Sequence, residues 1–119
     1  MLQHVSIEVP PEDVEACIAT WGLLGFAPLR EPEELRGYVS WVEHKGTQIH
    51  LIHTEGAVVP QLGHSAVVVD DFDATFAALE AAGHPVEEAR ELWGEPRAFV
   101  VIPGGHRVEL MAAPPPGPS

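Results

Sequence analysis

The two halves of this chain carry the same pattern, and that repeat limits the fold more than any single motif does. Gln3-His4-Val5-Ser6-Ile7-Glu8-Val9 and Gly63-His64-Ser65-Ala66-Val67-Val68-Val69 are two short strand-like runs, each bearing a histidine near its start. Each leads into an acidic helix start, a Leu/Ala-rich helix and a Gly-containing turn. Each half closes on a strand with a potential metal ligand near its middle, His50 in Gln48-Ile49-His50-Leu51 and Glu109 in Arg107-Val108-Glu109-Leu110. His4 and His64 lie 60 residues apart, His50 and Glu109 59 apart. The repeat therefore superimposes three histidines and a glutamate, which is metal-binding chemistry.

Within the first half, Leu2, Val5, Ile7 and Val9 alternate with polar residues, as a half-buried strand requires. Pro10-Pro11 ends it, and Glu12 and Asp13 favour a helix start. Val14, Cys17, Ile18 and Trp21 then fall on one helical face, with Gly22 and Gly25 as breakers. Phe26–Arg30 reads as a short strand, Glu31–Glu34 as an exposed turn and Gly37–Glu43 as a strand. His44-Lys45-Gly46 reads as a hairpin turn and Thr47–His53 as the return strand. The second half repeats this with a strand over 63–69 and a helix capped by Asp70 or Asp71 that carries Phe72, Phe76 and Leu79. Ala82-Gly83 ends that helix. Strands over Val86–Ala89 and Ala98–Ile102, a turn over Pro103–His106 and a last strand over Arg107–Met111 follow. Each half is β-α-β-β-β, an α+β arrangement.

These boundaries predict one domain over 1–119. Its parts are a first repeat over about 2–54, a linker over 55–62, a second repeat over about 63–112 and an extended Pro-rich tail over 113–119. With 45% hydrophobic residues, a packed core is the expectation. The net charge of −12, with six Lys and Arg in all, argues against nucleic acid and anionic membrane. Neither a secretory leader nor an apolar run long enough to span a bilayer is apparent. The single cysteine, Cys17, excludes a disulfide scaffold and points to a cytoplasmic protein.

In this order and spacing the chain resembles the vicinal oxygen chelate superfamily, which includes glyoxalase I, extradiol dioxygenases and bleomycin resistance proteins. The resemblance rests on residues 2–9, Leu23-Leu24-Gly25-Phe26, residues 63–69, residues 93–100 and the closing Pro103-Gly104-Gly105-His106-Arg107-Val108-Glu109-Leu110. It implies two tandem βαβββ repeats forming a cupped, barrel-like mixed sheet with helices outside. It also implies a metal held by His4, His50, His64 and Glu109, and a homodimer. Where glyoxalase I holds glutathione with a cation on its first strand and an Asn past its second ligand, this chain has Glu8 and Thr54. Glutathione-dependent chemistry is therefore not implied.

Alternation supplies an independent test of that ligand set. His4 shares a face with Ser6 and Glu8, His50 with Gln48 and Ile52, Glu109 with Arg107 and Met111, and His64 with Ala66 and Val68. Three imidazoles and a carboxylate suit Zn, Ni, Mn, Co or Fe(II) rather than Ca or Mg. Without His50, the other three would form a two-His-one-carboxylate triad. Glu109, swinging off the metal, and Glu8, on the same face, are the candidate catalytic bases. His44, His53, His84 and His106 read as solvated turn or surface residues, and Cys17 as core. Tyr38, Trp41 and Trp93 are candidates to line a pocket.

The expected function is a metal-dependent lyase, isomerase or dioxygenase on a small oxygenated substrate. The alternative is a non-catalytic protein of the bleomycin-resistance type that sequesters a cationic aromatic ligand.

Overall fold

A computed structural model describes residues 1–118. The chain divides into two compact units, Met1–Val59 and the remainder from Pro60, and the division falls inside the expected linker. Each unit is one β-α-β-β-β repeat. The strands form two four-stranded mixed sheets, one per unit, cupped and not closed into a barrel, in keeping with the expected tandem βαβββ repeats.

The first unit begins with β1 (His4–Val9). A 3-10 turn over Pro11–Asp13 leads into α1 (Val14–Leu23). Pro at the turn's first position and Glu12 and Asp13 beside it suit a helical start. Gly22 stays within α1, and the break comes at Gly25, whose φ of 96° few side-chain-bearing residues tolerate. Then come β2 (Ala27–Leu29), a 3-10 turn over Glu33–Leu35, β3 (Val39–His44) and β4 (Thr47–His53). The sheet order is β1-β4-β3-β2, with β1 and β4 parallel and the other pairs antiparallel.

Alternation divides the two faces of this sheet. Val9, Val42, Ile49 and Leu51 are buried. α1 contacts β2 and β3 and contributes Val14, Cys17, Thr20 and Trp21 to the buried set. Trp21 meets Phe26 edge to face, with centroids 5.1 Å apart. Cys17 is fully buried, as expected. Burial pushes its thiol up to about 12, with Asp13 adding to the effect and the Trp21 indole opposing it.

The second unit holds β5 (Ser65–Val68), α2 (Phe72–Ala81), β6 (Val86–Ala89), β7 (Arg97–Val101) and β8 (Arg107–Met111). Its order is β5-β8-β7-β6, with β5 and β8 parallel. Asp71 is the helix cap: its carboxylate accepts from Ala74 N at 3.0 Å. Leu79, Ala98, Val100, Ile102, Val108 and Leu110 form this unit's core. Arg97, Phe99, Val101, Arg107, Glu109 and Met111 alternate with them, and this puts them on the opposite face of the sheet.

The β7–β8 turn corrects one expectation. His106 is not a solvated turn residue but is only 7% exposed. Ile102 N donates to the His106 carbonyl at 2.9 Å, so residue 106 is at the base of the hairpin rather than its tip. Pro114–Pro118 carry no helix or strand. Ser119, the end of the expected tail, lies outside the described residues. Among the described residues, no helix is long and apolar enough to cross a membrane.

Candidate functional site

The four residues expected as metal ligands occur as two pairs, one in each unit. In the first unit, β1 and β4 run in parallel with Ser6 opposite His50 and His4 opposite Gln48. This register sets the His4 and His50 rings on one face, stacked at 4.0 Å with planes 11° apart. Trp41, opposite His50 on β3, extends the stack at 4.4 Å and 13°. His4 Nδ1 bonds Gln3 Oε1 at 2.7 Å, and His50 Nε2 bonds Gln48 Oε1 at 2.7 Å. Each imidazole thus spends one N–H on an amide oxygen and keeps the lone pair of its other nitrogen. The His50 pKa lies below the ordinary histidine value, through burial first and the neighbouring His4 second. Both causes favour the neutral ring that a metal requires.

In the second unit, His64 lies immediately before β5 rather than within it, because pairing with β8 begins at Ser65 opposite Val108. Its Nδ1 donates to the Leu62 carbonyl at 2.9 Å. A carbonyl only accepts, so the proton of a neutral ring is fixed on Nδ1 and Nε2 carries the lone pair. That Nε2 lies 3.1 Å from Glu109 Oε1. Two lone pairs at this distance repel. The contact is favourable only with positive charge between or upon them, either a proton or a metal cation.

Glu109 is 8% exposed and both its oxygens are engaged. Arg97 Nε donates to Oε2 at 2.9 Å, and an Arg97 Nη donates to the Arg90 carbonyl at 2.7 Å. Arg97 is a functional residue that the sequence reading does not single out. The available signal was its position two residues before Phe99, which faces Glu109 directly across β7 and β8. Phe99 is also the ring that meets His64 edge-on at 5.1 Å and lies under Arg107 at 4.3 Å.

Glu8 was expected near the ligands as a base. It accepts from Val58 N at 3.1 Å and so ties the linker to β1. His53 was expected in solvent but is half-buried, held between Ser40 Oγ at 2.9 Å and the Gly37 carbonyl at 3.0 Å. His44 belongs to β3 rather than the turn, and its ring meets Phe26 at 5.4 Å. His84 is half-buried. Tyr38 is 69% exposed, whereas the Trp93 indole donates to the Ala113 carbonyl at 3.3 Å.

Among the described residues, no three or more His, Cys, Asp or Glu side chains gather as a metal-holding group. Each pair nonetheless fits a metal in its donor chemistry. The three imidazoles each have one nitrogen anchored, and the carboxylate has one oxygen turned toward an imidazole nitrogen.

The family model for the glyoxalase/bleomycin resistance protein/dioxygenase superfamily matches residues 2–110. Among curated protein sequences none matches. Solved structures do. A protein assigned to the glyoxalase family from Bacillus anthracis superimposes with a TM-score of 0.81 at 24% identity, covering 93% of each chain. The oxidase ChaP-H2 gives 0.75 at 24% identity, covering 96% of this chain and 94% of its own. TnmS3, an antibiotic binding protein from Streptomyces sp. CB03234, gives 0.72 at 21% identity, covering 93% of each chain. At these identities the likeness is one of fold.

Proposed function

Because the chain belongs to the glyoxalase/bleomycin resistance protein/dioxygenase superfamily, we propose that it is a metal-dependent lyase, isomerase or dioxygenase acting on a small oxygenated substrate. His4, His50, His64 and Glu109 are the proposed ligands of one divalent transition metal. The observation that carries this reading is the His64–Glu109 contact, where an imidazole lone pair faces a carboxylate oxygen across 3.1 Å. A bound divalent ion would supply Lewis acidity toward adjacent substrate oxygens.

The chain's own groups have distinct tasks in this reading. Leu62, Gln3 and Gln48 fix the orientation of the three imidazoles. Arg97 holds Glu109 Oε2 and leaves Oε1 turned toward His64; swung away from it, Oε1 is the atom that takes a substrate proton. Glu8 acts as a positioning residue through the linker backbone. The chain works as a cytoplasmic homodimer that takes a small-molecule ligand.

A second reading is supported by the Trp41–His50–His4 stack. Three nearly parallel rings, stacked at 4.4 and 4.0 Å, make an aromatic column in a strongly acidic chain. That combination suits a cationic aromatic ligand held without chemistry, in line with TnmS3, an antibiotic binding protein of the same fold.

The test is metal content of chain purified without a His-tag, before and after chelation, with melting curves. About one transition-metal ion per chain, removed by chelator and absent in His64→Ala, supports the enzyme. No ion, and no melting shift with Ni, Mn or Fe(II), overturns it and leaves the binding protein.

A further inference from the structure

A cavity of about 300 Å³ opens on the second unit's sheet, bounded by Pro85, Glu87, Phe99, Val101 and Arg107. That volume is at the lower end for sites that take small molecules. The sheet register builds it. Glu87 on β6 faces Phe99 on β7, and Val101 on β7 faces Arg107 on β8. Two successive rows on one face therefore bring together a carboxylate, an aromatic ring and a guanidinium.

The charges in this cavity do not satisfy one another. The Arg107 guanidinium lies over the Phe99 ring, 4.3 Å from its centroid. Stacking uses the flat face of a guanidinium and leaves its N–H edge for an anion. Among the described residues, the Arg107 side chain has no hydrogen bond or ion pair, in contrast to that of Arg97, which donates to Glu109 and to the Arg90 carbonyl. Glu87 likewise forms no ion pair among the described residues, although Arg107 lines the same cavity. Both signs of charge are available across an apolar floor of Phe99, Val101 and Pro85.

We infer that this cavity binds a small zwitterion with an apolar body, an amino-acid-like molecule whose acidic group meets Arg107, whose cationic group meets Glu87, and whose body lies on Phe99 and Val101. A purely cationic ligand would leave Arg107 unpaired and repelled. A purely anionic one would face the Glu87 carboxylate. Only a molecule carrying both charges uses every polar group that the cavity offers. The inference goes beyond the metal reading and needs no metal.

Three matched probes separate these cases: L-phenylalanine, 3-phenylpropionate, which lacks its amine, and phenethylamine, which lacks its carboxylate. Each is titrated by NMR into the full chain stripped with chelator. The expected result is shifts at residues 85–88, 99–101 and 107, with L-phenylalanine tighter than either single-charge probe by about fivefold or more. Arg107→Met should erase the advantage over phenethylamine, and Arg107→Lys should keep part of it. Glu87→Gln should erase the advantage over 3-phenylpropionate. Melting curves verify that each variant is folded. Equal binding of L-phenylalanine and phenethylamine, shifts elsewhere in the chain, no binding of any probe, or an unaltered ranking in folded Arg107→Met overturns the inference. Metal content is read on separate samples, so failure here and failure of the metal reading are distinct results.

Discussion

Arg97 Nε lies 2.9 Å from Glu109 Oε2, and this contact decides which oxygen of Glu109 remains for His64. Both side chains are largely buried, at 13% and 10% exposed. Removing the guanidinium would strand a carboxylate beside an imidazole. Arg97→Met should therefore destabilise the chain by about 2–4 kcal/mol in urea unfolding. Arg97→Lys should recover only part, because an ammonium cannot hold Glu109 and the Arg90 carbonyl with one fork. A loss below about 0.5 kcal/mol for Arg97→Met, the size of an exposed pair, would show that the contact does not organise Glu109.

The His50 ring gives a pH prediction. Its folded pKa is below the ordinary value of 6.5, from burial and from His4. The unfolded chain therefore takes the proton more readily than the folded one. Stability from this site is fully present above the ordinary histidine range and is lost as pH falls through the folded value. In NMR titration of the metal-free chain, His50 should titrate below 6.5, and His4→Ala should move it back toward that value. No movement in His4→Ala would mean that the stacked neighbour has no electrostatic effect.

Cys17 should resist thiol reagents in the native chain. Its folded pKa of about 12 stands above the ordinary 9.0, so the thiolate is suppressed and its stability contribution is lost only as pH rises from 9.0 toward 12. At mildly alkaline pH, alkylation should follow unfolding rather than precede it. Rapid labelling of the folded chain would contradict this burial.

The β3–β4 turn holds a residue open to improvement. Lys45 has a φ of 50° and Gly46 one of 89°, the two positive values of a type I′ turn. Lysine is strained there, whereas asparagine tolerates it. Lys45→Asn should raise stability by about 0.5–1 kcal/mol in denaturant unfolding. A loss of stability would show that the lysine makes a compensating contact.

Much of this fold is legible in the sequence because strand alternation and turn residues are local. Thr47–His53, Val86–Ala89 and Arg107–Met111 are strands at the residues expected, and Asp71 is one of the two caps anticipated. His64 is misplaced by one residue because a strand's edge is set by its partner: β8 offers a pairing site only from Val108, opposite Ser65. The alternation that groups Glu109 with Arg107 is correct, yet Arg97 is the residue that holds it. That contact crosses from β7 to β8, and its register is not readable from either strand alone. His106 was assigned to solvent because Gly104-Gly105 marks a turn, but a turn signal does not say which flanking side chain folds inward.

Cobalt(II) titration of the chelator-stripped chain, followed by its visible absorption, bears most directly on the metal reading. About one Co(II) per chain should bind, with His50→Ala and His64→Ala each weakening binding by at least about tenfold although they lie in different units. Unchanged Co(II) affinity in either folded variant, or no binding by the parent chain, would contradict a shared site built from both pairs.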